Sequence, residues 1–173
     1  MRRLLLCGCA MLLLVGGCGD DSDDETQATV SEATTAATTT GSTPTKAEYI
    51  ERADEICTAA RAELEPLREE ADAADQRGDF DALAEAIEQF VVIAERQLDE
   101  LDALVEPVGD EEEIDAYLAG ALETVNFLRS EGQAVANRNQ QAAVALAQQA
   151  EASAERARRA ASSYGFQVCG ASG

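Results

Sequence analysis

The side chains able to do chemistry are few in kind: the chain holds 34 Asp and Glu, five Cys and three Tyr, with no His and no Trp. Without histidine there is no Ser-His-Asp relay, no His ligation of haem and no Glu-x-x-His motif of a di-iron bundle. No glycine-rich phosphate loop follows a strand, because no strand-like segment precedes one. Paired carboxylates could do acid-base work, but Glu51, Asp54, Glu55, Glu85 and Glu88 fall between apolar positions and read as a solvated face. Tyr49 and Tyr117 read as aromatics at the rim of a core. The expectation is a protein that is not an enzyme, with no catalytic residue, no cofactor and no metal site. Cysteine chemistry remains, and its meaning depends on where the thiols sit.

Arg2 and Arg3 precede an apolar run from Leu4 to Val15, and small residues follow at Gly16 and Gly17 before Cys18. That order is an export signal, and about a dozen apolar residues fall short of the roughly 20 that span a bilayer. The stretch Leu14-Val-Gly-Gly-Cys18 resembles the lipobox of bacterial lipoproteins. The resemblance implies cleavage before Cys18 and a lipid anchor, diacylglyceryl and palmitate, on that cysteine. Residues 1–17 are then a signal peptide, and Cys7 and Cys9 leave with it. An extracytoplasmic protein on the cell membrane, with the membrane as a partner through Cys18, is the localisation expected.

Residues 18–45 continue as a Thr-, Ser- and acid-rich segment whose one apolar residue larger than alanine is Val30. Such a stretch buries too little apolar surface to offset its chain entropy. It reads as a disordered linker spanning about 30 Å, by the √n rule for flexible chains. Asp21, Asp23, Glu25, Gln27, Thr29 and Glu32 imitate the spacing of a calcium loop, yet Thr26 stands where that loop needs glycine and no helices flank it. With 13 Lys and Arg against the 34 acids, the net charge is −21. That charge repels nucleic acid and anionic headgroups, so no nucleic-acid partner is expected.

From Thr45 onward the periodicity is helical. Thr45-Lys-Ala-Glu48 is a capping box, and Ile50, Ala53, Cys57, Ala60, Leu64, Leu67, Ala71 and Ala74 follow in steps of three and four. Pro66 lies inside this seam and is expected to kink or split the helix. Gly78-Asp79 restarts the pattern for a second helix with Phe80, Leu83, Ile87, Phe90, Ala94, Leu98, Leu101 and Leu104 on its stripe. Pro107 and Gly109 end it, and Asp110 with Glu113 resembles another cap for a third helix. Asn137 to Asn139 breaks the third from the fourth, about residues 140–163, whose seam is almost all alanine and has the weakest claim on the core. The fold expected for residues 46–170 is all-α, an up-down antiparallel four-helix bundle. The alternative is a three-helix bundle with helix one kinked at Pro66.

After lipidation two thiols remain, Cys57 on the first seam and Cys169 in the tail, too few for a Cys-and-His zinc site. An exported chain with an even number of thiols favours a disulfide, and the start of helix one meets the end of helix four in such a bundle. The alternative is two free buried thiols. Gly165 at C′ would place Phe166 where a Schellman motif packs back on the last turn. The pairing of "YIERADEIC" with "YGFQVCG" resembles a set of small exported or lipid-anchored helical proteins of actinobacteria and related GC-rich bacteria; it implies the fold and the disulfide and carries no activity. Phe90-Val91-Val92-Ile93 covers most of a helical circumference, so Val92 or Ile93 points off the seam and offers a docking patch for an unknown envelope protein. The function expected is a non-enzymatic binding or scaffold module. The alternative is a ligand- or cation-binding lipoprotein serving a transporter.

Overall fold

The computed structural model describes residues 43–171; the signal segment, Cys18, the linker to residue 42 and the calcium-like run lie outside them. Four helices fill most of that span: α1 Lys46–Arg77, α2 Phe80–Asp102, α3 Glu111–Ala136 and α4 Gln140–Tyr164. No strand occurs among the described residues. The four-helix bundle is therefore the architecture, and the three-helix alternative is not.

Short polar punctuation sets the helix ends. Thr45 and Glu48 form the full capping box, with Thr45 N–H donating to the Glu48 carboxylate at 2.8 Å and Glu48 N–H donating to Thr45 Oγ1 at 3.3 Å. Asp79 and Asn139 cap α2 and α4 by accepting from Ala82 and Ala142 N–H, each at 3.2 Å. Caps of this kind are worth about 1 kcal/mol each. Between α1 and α2, Gly78 takes the left-handed conformation (φ 66°) that glycine adopts without steric cost.

Two local expectations are corrected. Pro66 does not split α1, which runs on through it for 32 residues. Pro66 and Ala62 both lie on the exposed face, where water can take the carbonyl that the missing N–H leaves free. Asp110 flanks α3 without a side-chain cap bond, because its carboxylate accepts the Tyr164 hydroxyl at 2.8 Å instead. Glu111, Glu112 and Glu113 still place negative charge at the positive end of the helix dipole.

Successive helices are neighbours, α1 on α2, α2 on α3 and α3 on α4. Their cross-pairs run in opposite directions: Asp81 of α2 meets Arg138 just past α3, while Glu95, fourteen residues on, meets Arg129 back along α3. The closest approach is between α3 and α4. A Cβ added to Gly120 would lie 3.3 Å from Ala157 Cβ, and the buried Ser153 hydroxyl is 3.1 Å from the Gly120 carbonyl and 2.8 Å from the Glu123 carboxylate. The alanine-rich fourth helix thus holds its place by proximity. Small side chains bring two backbones into van der Waals contact, which compensates for the scarcity of large apolar groups.

The main core gathers at the end of the bundle where α1 starts and α4 finishes. Tyr49, Ala53 and Cys57 come from α1, Leu101 from α2, Ile114 and Tyr117 from α3, and Ala157, Ala161 and Tyr164 from α4. Tyr49 and Tyr117 are 1% and 5% exposed, so both belong to the core and not to its rim. By contrast, α1 and α4 nowhere bring their Cα atoms within 8 Å. The bundle closes between them only where the C-terminal tail and the aromatic side chains fill the space.

Candidate functional site

The tail beyond α4 is built as a clamp. Gly165 is left-handed (φ 119°), and the Phe166 N–H reaches the Ala161 carbonyl at 3.0 Å, the six-to-one bond of a Schellman motif. Phe166 is thereby turned into the core, 4.9 Å from the Tyr164 ring, 5.3 Å from Tyr117 and 6.1 Å from Tyr49. Tyr49 and Tyr164 meet edge to face at 6.1 Å. Aromatic pairs in such arrangements add about 0.5–1.5 kcal/mol each beyond the area they bury. Cys169 is bonded to Cys57 across a separation of 112 residues.

Asp54 is the residue that sequence reasoning misplaced. It does not belong to a solvated face. One of its carboxylate oxygens accepts from Val168 and Cys169 N–H at 2.8 and 3.0 Å, and the other accepts from Gln167 N–H at 2.8 Å. Three successive backbone donors converge on one carboxylate, so the "ADEIC" segment holds "FQVC" by charge-assisted bonds as well as by the disulfide. A signal was present in the sequence: Asp54 lies one turn before Cys57, on the side of α1 that must face whatever Cys57 reaches. Asp54→Ala is expected to cost about 2–3 kcal/mol and to speed amide exchange at Gln167, Val168 and Cys169. Unchanged protection at those three amides would contradict the assignment.

Tyr49, Tyr117, Tyr164 and Phe166 form an aromatic knot, and the electrostatics around it follow from burial in an acidic chain. Burial, with Glu106 and Asp102 adding, pushes the Tyr49 phenol up to about 12. The Tyr117 phenol is pushed up by burial and secondarily by Tyr49 and Asp54, and that of Tyr164 by burial and then by its bond to Asp110. Glu106 is itself raised by desolvation and by neighbouring Asp115, Glu111 and Asp102. Among the described residues no group of three His, Cys, Asp or Glu gathers in a way that could hold a metal ion.

The gap between α1 and α4 forms a groove with a cavity of about 230 Å³. Its walls are apolar, with Leu64, Phe90, Leu98, Val125 and Leu128 among them, and Val168 and the Cys57–Cys169 bond close one end. Phe90, Ala94 and Leu98 of the α2 stripe are half-buried where they face this groove. The charged residues lining the cavity are Arg61, Arg68 and Arg158, and no Asp or Glu is part of the lining. In a chain with 34 acids and 13 bases, the charged side chains of the lining itself are all basic, and two of the three are neutralised by glutamates just outside it. Arg158 is paired with Glu151 and Glu155, and Arg68 lies 3.4 Å from Glu65 with its guanidinium over the Phe90 ring. Arg61 donates to the Val168 carbonyl at 3.0 Å and has no carboxylate within 4.0 Å among the described residues.

The four residues of the Phe90–Ile93 run are distributed around α2. Phe90 lines the groove, Val91 is buried, Ile93 is half-buried and Val92 is 59% exposed. Val92 faces the other side of the bundle, in a hollow between α2 and α3 edged by Asp81, Glu85, Glu88 and Glu95, the last paired with Arg129. No helix of the described residues is long and apolar enough to cross a membrane. Comparison with protein-family models, with curated proteins and with solved structures gives no match to this chain in any of the three.

Proposed function

We propose that the chain is a lipid-anchored lipoprotein of the extracytoplasmic face of the cell membrane, and that its helical domain binds and does not catalyse. The observation that carries this reading is the Cys57–Cys169 disulfide. Such bonds persist in oxidising compartments and are rare in the reducing cytosol, so the bond agrees with the export signal and with Leu14-Val-Gly-Gly-Cys18. Lipid on Cys18 and the acid-rich linker would hold the domain off a surface that its own charge repels.

The anchor is tested by Cys18→Ser. The variant is expected to leave the membrane fraction, or to accumulate with its signal segment uncut, while the parent chain partitions into detergent. A variant that is processed and still partitions with detergent would remove the anchor from the reading. Between a scaffold and a ligand carrier serving a transporter, the groove favours the carrier. A concave, largely apolar site with a few polar groups at one end is the usual shape of a small-molecule site, whereas Val92 is one exposed side chain among acids.

A further inference from the structure

We infer that the groove between α1 and α4 binds a small amphipathic carboxylate, a medium-chain fatty acid or a molecule of that shape, with its head at the disulfide end. This deepens the carrier reading and rests on it. Three donors line that end. Arg61 uses one guanidinium nitrogen on the Val168 carbonyl and faces no carboxylate among the described residues. The Gln97 amide donates only to Cys57 Sγ, at 3.1 Å, and the Tyr117 hydroxyl has only the same sulfur, at 3.9 Å, as a partner. A bonded sulfur is a weak acceptor, so all three retain capacity to donate.

Donors without a facing acid recognise an anion, and a guanidinium fork matches a carboxylate in shape as well as charge. The Tyr117 phenol, pushed up by burial, stays protonated and remains a donor. Away from this end the cavity turns apolar. Leu64, Phe90 and Leu128 line it, and the Arg68 guanidinium there lies over the Phe90 ring and is paired with Glu65. A cation binder would need the reverse lining, and a nucleotide would need more than one unpaired guanidinium. A single head with a hydrocarbon body is what the lining fits.

The chain is taken in the form recovered from the cell, in nanodiscs if it is membrane-bound and in buffer if it is not, with empty nanodiscs subtracted. Titration calorimetry with octanoate, decanoate and decanol reads the binding. Decanoate is expected to saturate one site and to bind more tightly than octanoate by about fourfold per added methylene. Decanol should bind at least tenfold more weakly than decanoate. Arg61→Gln is expected to bring decanoate to the level of decanol, and Tyr117→Phe, which keeps the ring, to weaken decanoate a few-fold and leave decanol unchanged.

Because Arg61 also holds the tail, its variant is read together with its thermal midpoint. If that variant unfolds, Tyr117→Phe alone decides the placement of the head. Absence of saturable decanoate binding by the parent chain, or equal affinity for decanoate and decanol, overturns the proposal. Release of the Cys18→Ser chain from the membrane together with no decanoate binding would leave the anchor standing and remove the ligand. Decanoate binding by a chain that proves soluble would do the opposite.

Discussion

Replacing Cys57 and Cys169 together by serine is expected to lower the stability of the domain by about 3–5 kcal/mol. The bond spans 112 residues of sequence, and the chain-entropy account assigns about 4.7 kcal/mol to a loop of roughly that length. Losses of about 2–5 kcal/mol are typical when a small secreted domain gives up a native disulfide. For a helical domain of this size the melting temperature should fall by about 10–20 °C, read by far-ultraviolet circular dichroism with and without reductant. The loss should also be uneven. The tail, the first turns of α1 and the aromatic knot depend on the clamp, whereas α3 and α4 hold each other through Gly120, Ser153 and Ala157. Amide exchange should therefore rise first at Phe166 to Cys169 and last along the α3–α4 contact. A melting temperature unchanged by reduction would show that Asp54 and Phe166 suffice without the bond.

Raising the pH is the second large perturbation. All three tyrosines of the chain belong to the knot, and each phenol is raised from its ordinary value of 10.0, that of Tyr49 to about 12. A raised folded value means that the folded state holds the proton more tightly than the unfolded one. The contribution is fully present below pH 10 and is lost as pH rises through 10 toward the folded values. At about 1.4 kcal/mol for each unit of difference, three coupled phenols represent several kcal/mol. Helicity is thus expected to collapse between about pH 10 and 12, with the ultraviolet absorbance of phenolate appearing in the same step. Tyr117→Phe removes one ionisable group and keeps the ring, so it should move the alkaline midpoint upward. Three independent phenolate titrations near pH 10 with helicity intact would mean that the rings are not packed as described.

Much of this architecture was legible in the chain. Thr45 with Glu48, Gly78 with Asp79, Asn139 and Gly165 act through bonds to residues within a few positions, so their roles can be read without knowing the rest of the fold. The same holds for the three-and-four spacing that brings Ala53, Cys57, Ala60 and Leu64 to one face. Cys57 and Cys169 were legible for another reason: they are the two cysteines of the helical span from residue 46 to residue 170, and two thiols allow a single intramolecular pairing. Asp110 was misread because a distant hydroxyl, that of Tyr164, competes for a carboxylate that would otherwise cap its own helix. The split at Pro66 does not occur because the penalty of a proline in a helix depends on whether the freed carbonyl faces water. For Tyr49 and Tyr117, polarity suggested a rim, while burial was decided by Phe166 arriving from the far end of the chain.

The candidate site was far less legible than the fold. Arg61, Gln97 and Tyr117 belong to three different helices and have no common spacing, and nothing local marks them as neighbours of one disulfide. Periodicity puts Phe90 on the stripe and Val92 off it, but it does not tell that one ends beside arginines and the other beside Asp81, Glu85, Glu88 and Glu95. Helical periodicity, caps and cysteine count are short-range or combinatorial properties, and they prescribe four amphipathic helices, their ends and one covalent tie. Which helix pair stays apart depends on the sizes of side chains meeting across the bundle. Gly120 lets α3 and α4 close on each other, the tail and Phe166 fill only one end of the space between α1 and α4, and the remainder is left as the groove.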